Sequence, residues 1–160
     1  MKKIFLMLAI CCAFAFQNAM AQEAKILPNF SFYNLKGEVA TAEKIAYENY
    51  LTIVYFDPTC EHCIEQIEDI KKHWTHFSET VFVFISFADV ESIIEFEKEH
   101  FPKKTEQVVF LHDKDLKIFD YFNDFYDTPT FKIYDNNKDL VGHLEQAPAQ
   151  EIYKYYQQKK

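Results

Sequence analysis

A strand–helix–strand pattern at residues 51–86 constrains the fold most. Two apolar runs rich in β-branched and aromatic residues, 51–56 and 81–86, flank a segment in which apolar residues recur at steps of three and four. The runs are typical of strands buried on both faces, and segment 63–77 is typical of an amphipathic helix. Two strands joined by one helix pair in parallel through a right-handed crossover. The sequence therefore predicts an α/β domain with strand 51–56 at the centre of its sheet.

The remaining pattern completes one domain, predicted to span residues 22–160. Linkers rich in Pro, Gly or Ser and internal repeats are absent from the sequence. The further predicted elements are an edge strand at 30–33 that ends in a turn at Gly37, a helix between Asp89 and Pro102, a strand at 108–111, a helix at 116–122, an antiparallel hairpin of 130–134 with 140–143, and a closing helix at 148–158.

Composition excludes the common nucleic-acid and nucleotide chemistries. All 17 basic residues are lysines, and the formal net charge is −8. Arginine forks that read guanine edges are therefore absent, and the net charge opposes binding to phosphate backbones. The two glycines, Gly37 and Gly142, are too isolated to form a phosphate-binding loop. We expect neither a nucleic-acid partner nor a nucleotide partner.

The first 21 residues have the pattern of a signal peptide. Lys2 and Lys3 precede an almost wholly apolar run at 4–16, and Ala19 and Ala21 offer the small side chains that signal peptidase reads. We predict cleavage after Ala21 and export to the bacterial periplasm. Two alternatives place the protein on a membrane instead: an uncleaved anchor, which the short apolar run disfavours, and a lipidated cysteine at position 11 or 12.

Cys60 and Cys63 are the only cysteines of the predicted mature chain. A disulfide across two intervening residues restricts the unfolded chain very little, so the pair calls for a chemical or metal-binding explanation. Cys60 lies after a strand and at the start of a helix, where unpaired N–H groups and the helix dipole stabilise a thiolate. Cys63 lies one turn further along the helix. The spacing predicts Cys60 as the nucleophile and Cys63 as the resolving thiol.

The order of these features resembles the thioredoxin-fold thiol–disulfide oxidoreductases of the secreted TlpA/ResA-like group, over residues 27–158. The resemblance is carried by the turn at Gly37, strand 51–56, the motif Cys60-Glu61-His62-Cys63 and the segment Thr128-Pro129-Thr130 before a strand. It implies a thioredoxin-like α/β fold in which a central mixed sheet is flanked by helices. It also implies that residues 108–122 form an extra strand and helix inserted before the strand that follows a cis-proline.

The same resemblance implies a function and further site residues. A cis Pro129 would face the cysteines, and the backbone of Thr128 would bind an extended substrate segment. Glu61 and His62 would tune the redox poise, since a protonated imidazole favours a thiolate and a carboxylate opposes it. The implied reaction is dithiol–disulfide exchange with protein substrates, with the protein acting as a reductant. It would use a membrane or periplasmic electron-transfer partner, no dissociable cofactor and no metal.

Two departures from the resemblance concern proton transfer. Val54 stands where thioredoxin has a buried acid on the central strand. Gln66 stands where the TlpA/ResA-like group often carries a helix carboxylate that assists ionisation of the thiol, and Glu65 beside it points elsewhere on the helix. The group that would take the proton from the buried thiol is therefore not assigned by the sequence.

Four alternatives compete with the oxidoreductase interpretation. A structural zinc site would need a second ligand pair, and a peroxiredoxin-type peroxidase would need an arginine. Cys60, His62 and Cys63 could instead hold copper, or the domain could be a binding module with idle cysteines. The other histidines show no ligand spacing and are expected to face solvent or to cap helices: His73, His76, His100, His112 and His143. A last hypothesis is that part of an aromatic cluster just before Pro129 lines an apolar binding surface beside the cysteines: Tyr121, Phe122, Phe125 and Tyr126.

Overall fold

The computed structural model describes residues 26–103 and 105–157, so the predicted signal peptide lies outside the described residues. One seven-stranded sheet runs in the order β2-β1-β5-β4-β3-β6-β7. The strands are β1 Ser31–Asn34, β2 Val39–Thr41, β3 Tyr50–Tyr55, β4 Thr80–Ser86, β5 Val108–His112, β6 Thr130–Asp135 and β7 Leu140–Glu145. The helices are α1 Glu61–Lys72, α2 Val90–His100, α3 Ile118–Tyr121 and α4 Ala149–Tyr153, with 3₁₀ turns at Ala42–Lys44, Trp74–Phe77 and Lys154–Gln157.

The predicted parallel pair is confirmed, and the sheet as a whole is mixed. β3 pairs in parallel with β4, and β4 in parallel with β5, while every other pairing is antiparallel. All six residues of β3 are buried, as its continuous apolar run predicts. β3 lies one place from the middle, which β4 occupies. The predicted extra strand and helix are β5 and α3, which come between α2 and β6.

Several predicted boundaries were wrong. Strand β1 is not an edge strand, because the unpredicted β2 pairs along one side of it and forms the edge. The helix that begins after Cys60 ends at Lys72, and its last predicted turn is a separate 3₁₀ turn. Helix α3 is a single turn, capped by the buried Asp113, whose carboxylate accepts the N–H groups of Lys117 at 2.9 Å and Ile118 at 2.8 Å. The closing helix likewise changes to 3₁₀ geometry after Tyr153.

Buried apolar residues form one cluster on each face of the sheet. Helix α1 packs its apolar side, including Ile67 and Ile70, into the cluster that contains Val54. The carboxylate of Asp69 accepts the Ala149 N–H at 2.8 Å, which ties the start of α4 to α1. Since α1 begins at the cysteine pair, these contacts hold the motif against the end of the sheet.

A polar network joins α1 to α2 on the same face. The Glu68 carboxylate lies 2.6 Å from the Lys71 ammonium and 2.7 Å from the His100 ring nitrogen. The hydrogen bond from Lys71, together with that from His100, outweighs the opposing effect of burial and holds the pKa of Glu68 below its usual range. His100 is buried, so its predicted solvent-facing or capping role was wrong. Among the described residues, no helix combines the length and apolar character needed to cross a membrane.

Candidate active site

The turn between β3 and α1 places Cys60 at the N-cap position, directly before the first residue of the helix. The N–H and hydroxyl of Thr59 both donate to the Asp57 carboxylate at 2.7 Å, and the Cys60 N–H donates to the Asp57 carbonyl at 3.2 Å. Cys60 keeps extended backbone angles, and its carbonyl accepts the Ile64 N–H as the first bond of the helix. Asp57 therefore folds the turn that presents the first cysteine, a role that no sequence pattern indicates.

The Cys60 sulfur is partly exposed and surrounded by hydrogen-bond donors. The Cys63 N–H points at it with a donor–acceptor distance of 3.4 Å, so the cysteine occupies the capping place usually taken by serine or aspartate. Burial raises the pKa of this thiol. That effect is outweighed by the Cys63 N–H and thiol, the Thr128 hydroxyl and the His62 N–H, which together hold the pKa of Cys60 below its ordinary value. The arrangement stabilises a thiolate at the surface.

Cys63 has the opposite environment. Its side chain is fully buried in the cluster under α1. Burial raises its pKa to about 12, the negative charge and hydrogen bond of Cys60 act in the same direction, and hydrogen bonds from the Asp57 backbone and the Thr128 side chain only partly compensate. Both cysteines are free thiols in this structure. One is thus set up to ionise and meet a substrate, and the other to stay protonated until the first has reacted.

Thr128 and Pro129 lie against the cysteine pair. The Thr128–Pro129 peptide bond is cis, and the Thr128 side chain acts through hydrogen bonding to lower the pKa of both cysteine thiols. The Gln146 N–H donates to the Pro129 carbonyl at 2.9 Å, and the Gln146 side chain reaches the Thr128 carbonyl at 3.4 Å. The sequence predicts a role only for the Thr128 backbone and none for Gln146. The position of Gln146 follows from the β6–β7 pairing, which no local motif encodes.

The two residues between the cysteines face solvent. The His62 side chain is 70% exposed and lies 3.7 Å from Glu65, which is 77% exposed, and Glu61 is exposed as well. Interactions between such exposed charges are weakened by water and salt. The donors that stabilise the Cys60 sulfur include the backbone of His62, not its ring.

The positions relevant to proton transfer are apolar or neutral, as the sequence indicates. Val54 is buried in the cluster with Cys63. The side-chain oxygen of Gln66 is buried and has no hydrogen-bond partner among the described residues. Within the same residues, no group of three or more His, Cys, Asp or Glu side chains has the geometry of a metal site.

Comparison with solved structures identifies the architecture. A thioredoxin-like protein from Aeropyrum pernix matches with a TM-score of 0.68 and 14% identity, covering 92% of this chain and 98% of that one. The chain has the thioredoxin-like fold. A secreted disulfide oxidoreductase from Mycobacterium tuberculosis, described as homologous to E. coli DsbE, matches with a TM-score of 0.63 and 16% identity, covering 79% and 93% of the two chains.

The thioredoxin-like fold is shared by proteins of different chemistry. A peroxidoxin, BcpB from Mycobacterium tuberculosis, matches with a TM-score of 0.71 and 10% identity, over 87% of this chain and 98% of that one. No family model matches the sequence, and no curated protein matches it. Because one fold hosts several activities, the chemistry has to be argued from the residues at the site.

Proposed function

We propose that the protein is a thiol–disulfide oxidoreductase that exchanges the Cys60–Cys63 dithiol with disulfides of protein substrates. One observation carries the proposal: the two thiols have opposite environments, with the pKa of Cys60 lowered at a helix N-terminus and that of Cys63 raised by burial to about 12. An exchange enzyme needs this division between an attacking and a resolving thiol. A dithiol with a purely structural role would not need this difference between its two thiols.

The reaction balances without a dissociable cofactor. The Cys60 thiolate attacks one sulfur of a substrate disulfide, forming a mixed disulfide and releasing the other sulfur as a thiolate, which takes up a proton. The Cys63 thiol then loses its proton and attacks the Cys60 sulfur. This step forms the Cys60–Cys63 disulfide and releases the second substrate sulfur as a thiol. The substrate gains two electrons and two protons, and the protein loses them.

The proposal includes a direction of electron flow and a cellular compartment. We infer that the protein acts as a reductant in the bacterial periplasm after loss of residues 1–21. A membrane or periplasmic electron-transfer partner would return the Cys60–Cys63 disulfide to the dithiol. The predicted signal peptide supports export, and one solved structure of the same fold is described as a secreted disulfide oxidoreductase. Thr128 and Pro129 would bind the substrate segment, and Glu61 and His62 would make smaller adjustments to the potential.

Trapping the mixed disulfide tests the proposal. In the Cys63→Ala variant, Cys60 should remain attached to substrate proteins from a periplasmic extract, in complexes that a small dithiol releases. Cys60→Ala is the matched control and should trap none. If neither variant traps protein, exchange is contradicted. Stoichiometric copper binding that is lost in His62→Ala would identify a metal carrier, and unchanged partner affinity in both cysteine variants would identify a binding module.

A further inference from the structure

Three aromatic side chains are exposed at the end of the sheet where the cysteines lie. Phe87 follows β4 and is 46% exposed, Phe119 on α3 is 44% exposed, and Tyr126 in the segment before the cis peptide bond is 78% exposed. We call these three residues the aromatic patch. The sequence analysis predicts that part of the cluster Tyr121, Phe122, Phe125 and Tyr126 lines an apolar surface. Phe122 and Phe125 are buried and Tyr126 is exposed, so only part of the cluster can face solvent.

The aromatic patch is supported from below by Tyr55, the last residue of β3. The Tyr55 ring contacts Phe87 and Phe119, each at a centroid distance of 6.0 Å, and stacks on Phe125 at 5.5 Å. Tyr126 directly follows Phe125 in the chain. Phe87 and Phe119 are thus grouped around one ring, and grouped exposed apolar side chains are typical of interaction surfaces, whereas single exposed residues are not informative.

Chain connections place the aromatic patch at the same end of the sheet as the reactive sulfur. The Phe56 N–H donates to the Ile85 carbonyl, so the chain leaving β3 towards Cys60 runs beside the chain leaving β4 towards Phe87. On the other side, Tyr126 lies two residues before Thr128, whose hydroxyl contacts the Cys60 sulfur. A polypeptide bound at Cys60 would therefore lie within reach of the aromatic patch.

The surroundings of the aromatic patch are acidic. Segment 57–65 carries three acidic residues and segment 87–91 carries two, and neither contains lysine. Segment 113–127 has five aspartates against two lysines; Asp113 is buried and Asp124 is paired with Lys132, and the Lys114 ammonium lies over the Tyr33 ring, 3.9 Å from its centroid. We call four exposed carboxylates of these segments the acidic rim: Glu61, Glu65, Asp120 and Asp127.

We propose that the aromatic patch and the acidic rim select protein substrates in which the reactive cysteine lies in a cationic segment beside a bulky apolar residue. This inference rests on the proposed exchange function and names its substrate class. Charge complementarity decides the occupant, because opposite charges attract across an interface and like charges are costly. A second copy of this acidic chain and an anionic lipid surface would both meet repulsion at the acidic rim.

Matched peptides test the inference on the full reduced protein. Each short peptide carries one cysteine as a mixed disulfide with mercaptoethanol, preceded by phenylalanine, and the two peptides differ only in having flanking lysines or flanking glutamates. Exchange oxidises the protein to its Cys60–Cys63 disulfide and yields the peptide thiol and free mercaptoethanol. At low salt we expect kcat/KM to be about tenfold higher for the lysine peptide. The preference should shrink towards unity near 1 M salt, where the screening length is only about 3 Å.

Variants assign the preference to the two surfaces. Asp120→Lys with Asp127→Lys should abolish or reverse the charge preference. Glu48→Lys with Glu79→Lys, which lie at the other end of β3 and β4, is the matched control and should keep it. Tyr126→Ser removes the most exposed aromatic residue and endangers folding least. It should lower kcat/KM several-fold for peptides with phenylalanine and leave a serine-containing counterpart unchanged.

A small neutral disulfide separates failure of this inference from failure of the proposed function. All of these surface variants should reduce 2-hydroxyethyl disulfide at the wild-type rate, since it is too small to contact the aromatic patch and carries no charge. Equal rates for both peptides together with normal reduction of this disulfide would overturn the substrate class alone. Absence of exchange with every disulfide would overturn the proposed function instead.

Discussion

The ion pair between Lys132 and Asp124 supports the loop that contacts the cysteines, and removing one of its charges tests that support. The Lys132 ammonium lies 2.6 Å from the Asp124 carboxylate, and the His143 ring nitrogen lies 3.5 Å from the same oxygen. The Lys132 side chain is 3% exposed and that of Asp124 is 20% exposed. Asp124 begins the segment that leads to Thr128, so the pair fixes one end of the loop that contacts the cysteines.

Asp124→Asn keeps the shape of the side chain and removes the negative charge next to a buried ammonium. Removing one partner of a buried ion pair lowers the free energy of unfolding by about 3 to 5 kcal/mol. Because Asp124 is partly exposed, we expect a decrease of about 3 kcal/mol. For a domain of this size the melting temperature should fall by about 6 to 12 °C. The double variant with Lys132→Met should be less destabilised than the two single changes added together, because it removes both charges.

Urea unfolding of the reduced protein measures these free energies. Trp74, the only tryptophan, stacks on Phe82 with a centroid distance of 5.6 Å and reports the core by fluorescence. Lys36→Met changes an exposed lysine and should stay within about 0.5 kcal/mol of wild type. A loss below about 1 kcal/mol for Asp124→Asn, or strictly additive single changes, would refute the assigned coupling.

Three further outcomes are expected. Thr128→Val removes a hydroxyl that stabilises the Cys60 thiolate, so the pKa of Cys60 should rise and iodoacetamide should react several-fold more slowly near that pKa, as a pH profile of alkylation would record. Gly142→Ala places a Cβ 2.8 Å from the Tyr155 ring and should cost about 1 to 3 kcal/mol in denaturant unfolding. The pKa of Glu68 is lowered by its lysine and histidine neighbours, so its contribution to stability is present above the unfolded pKa and is lost as pH falls through the folded pKa. Glu68→Gln should therefore be less stable than wild type at neutral pH, and the difference should vanish in acid.

The strand and helix pattern was readable from local sequence wherever burial imposes a simple period. The continuous apolar run of β3 is typical only of a buried strand, and the three-and-four spacing of α1 is typical only of an amphipathic helix. Asp89 caps α2 by accepting the Ser92 N–H at 2.9 Å, as the sequence indicates. Strand β2 was missed because three residues, one of them exposed, carry no period. Its pairing with β1 depends on the turn and on the neighbouring strands.

Only part of the candidate active site could be predicted from the sequence. The motif and its helix position indicated a reactive Cys60, and the structure adds the neighbours that lower its pKa. The contact of Thr128 with both sulfurs and the turn built by Asp57 depend on tertiary placement. The exposure of Phe87 could not be inferred, because a phenylalanine that follows a buried strand has the same local pattern whether it continues into the core or stands in solvent.

The equilibrium reduction potential of the Cys60–Cys63 pair tests the central claim most directly. Purified protein lacking the predicted signal peptide would be titrated in thiol–disulfide buffers, with the thiols trapped by alkylation and counted by mass. We predict one reversible two-electron couple at or below about −250 mV, close to the value of thioredoxin, as a reductant requires. A potential near about −120 mV would contradict the reducing direction. The absence of any reversible two-electron couple would contradict thiol–disulfide exchange itself.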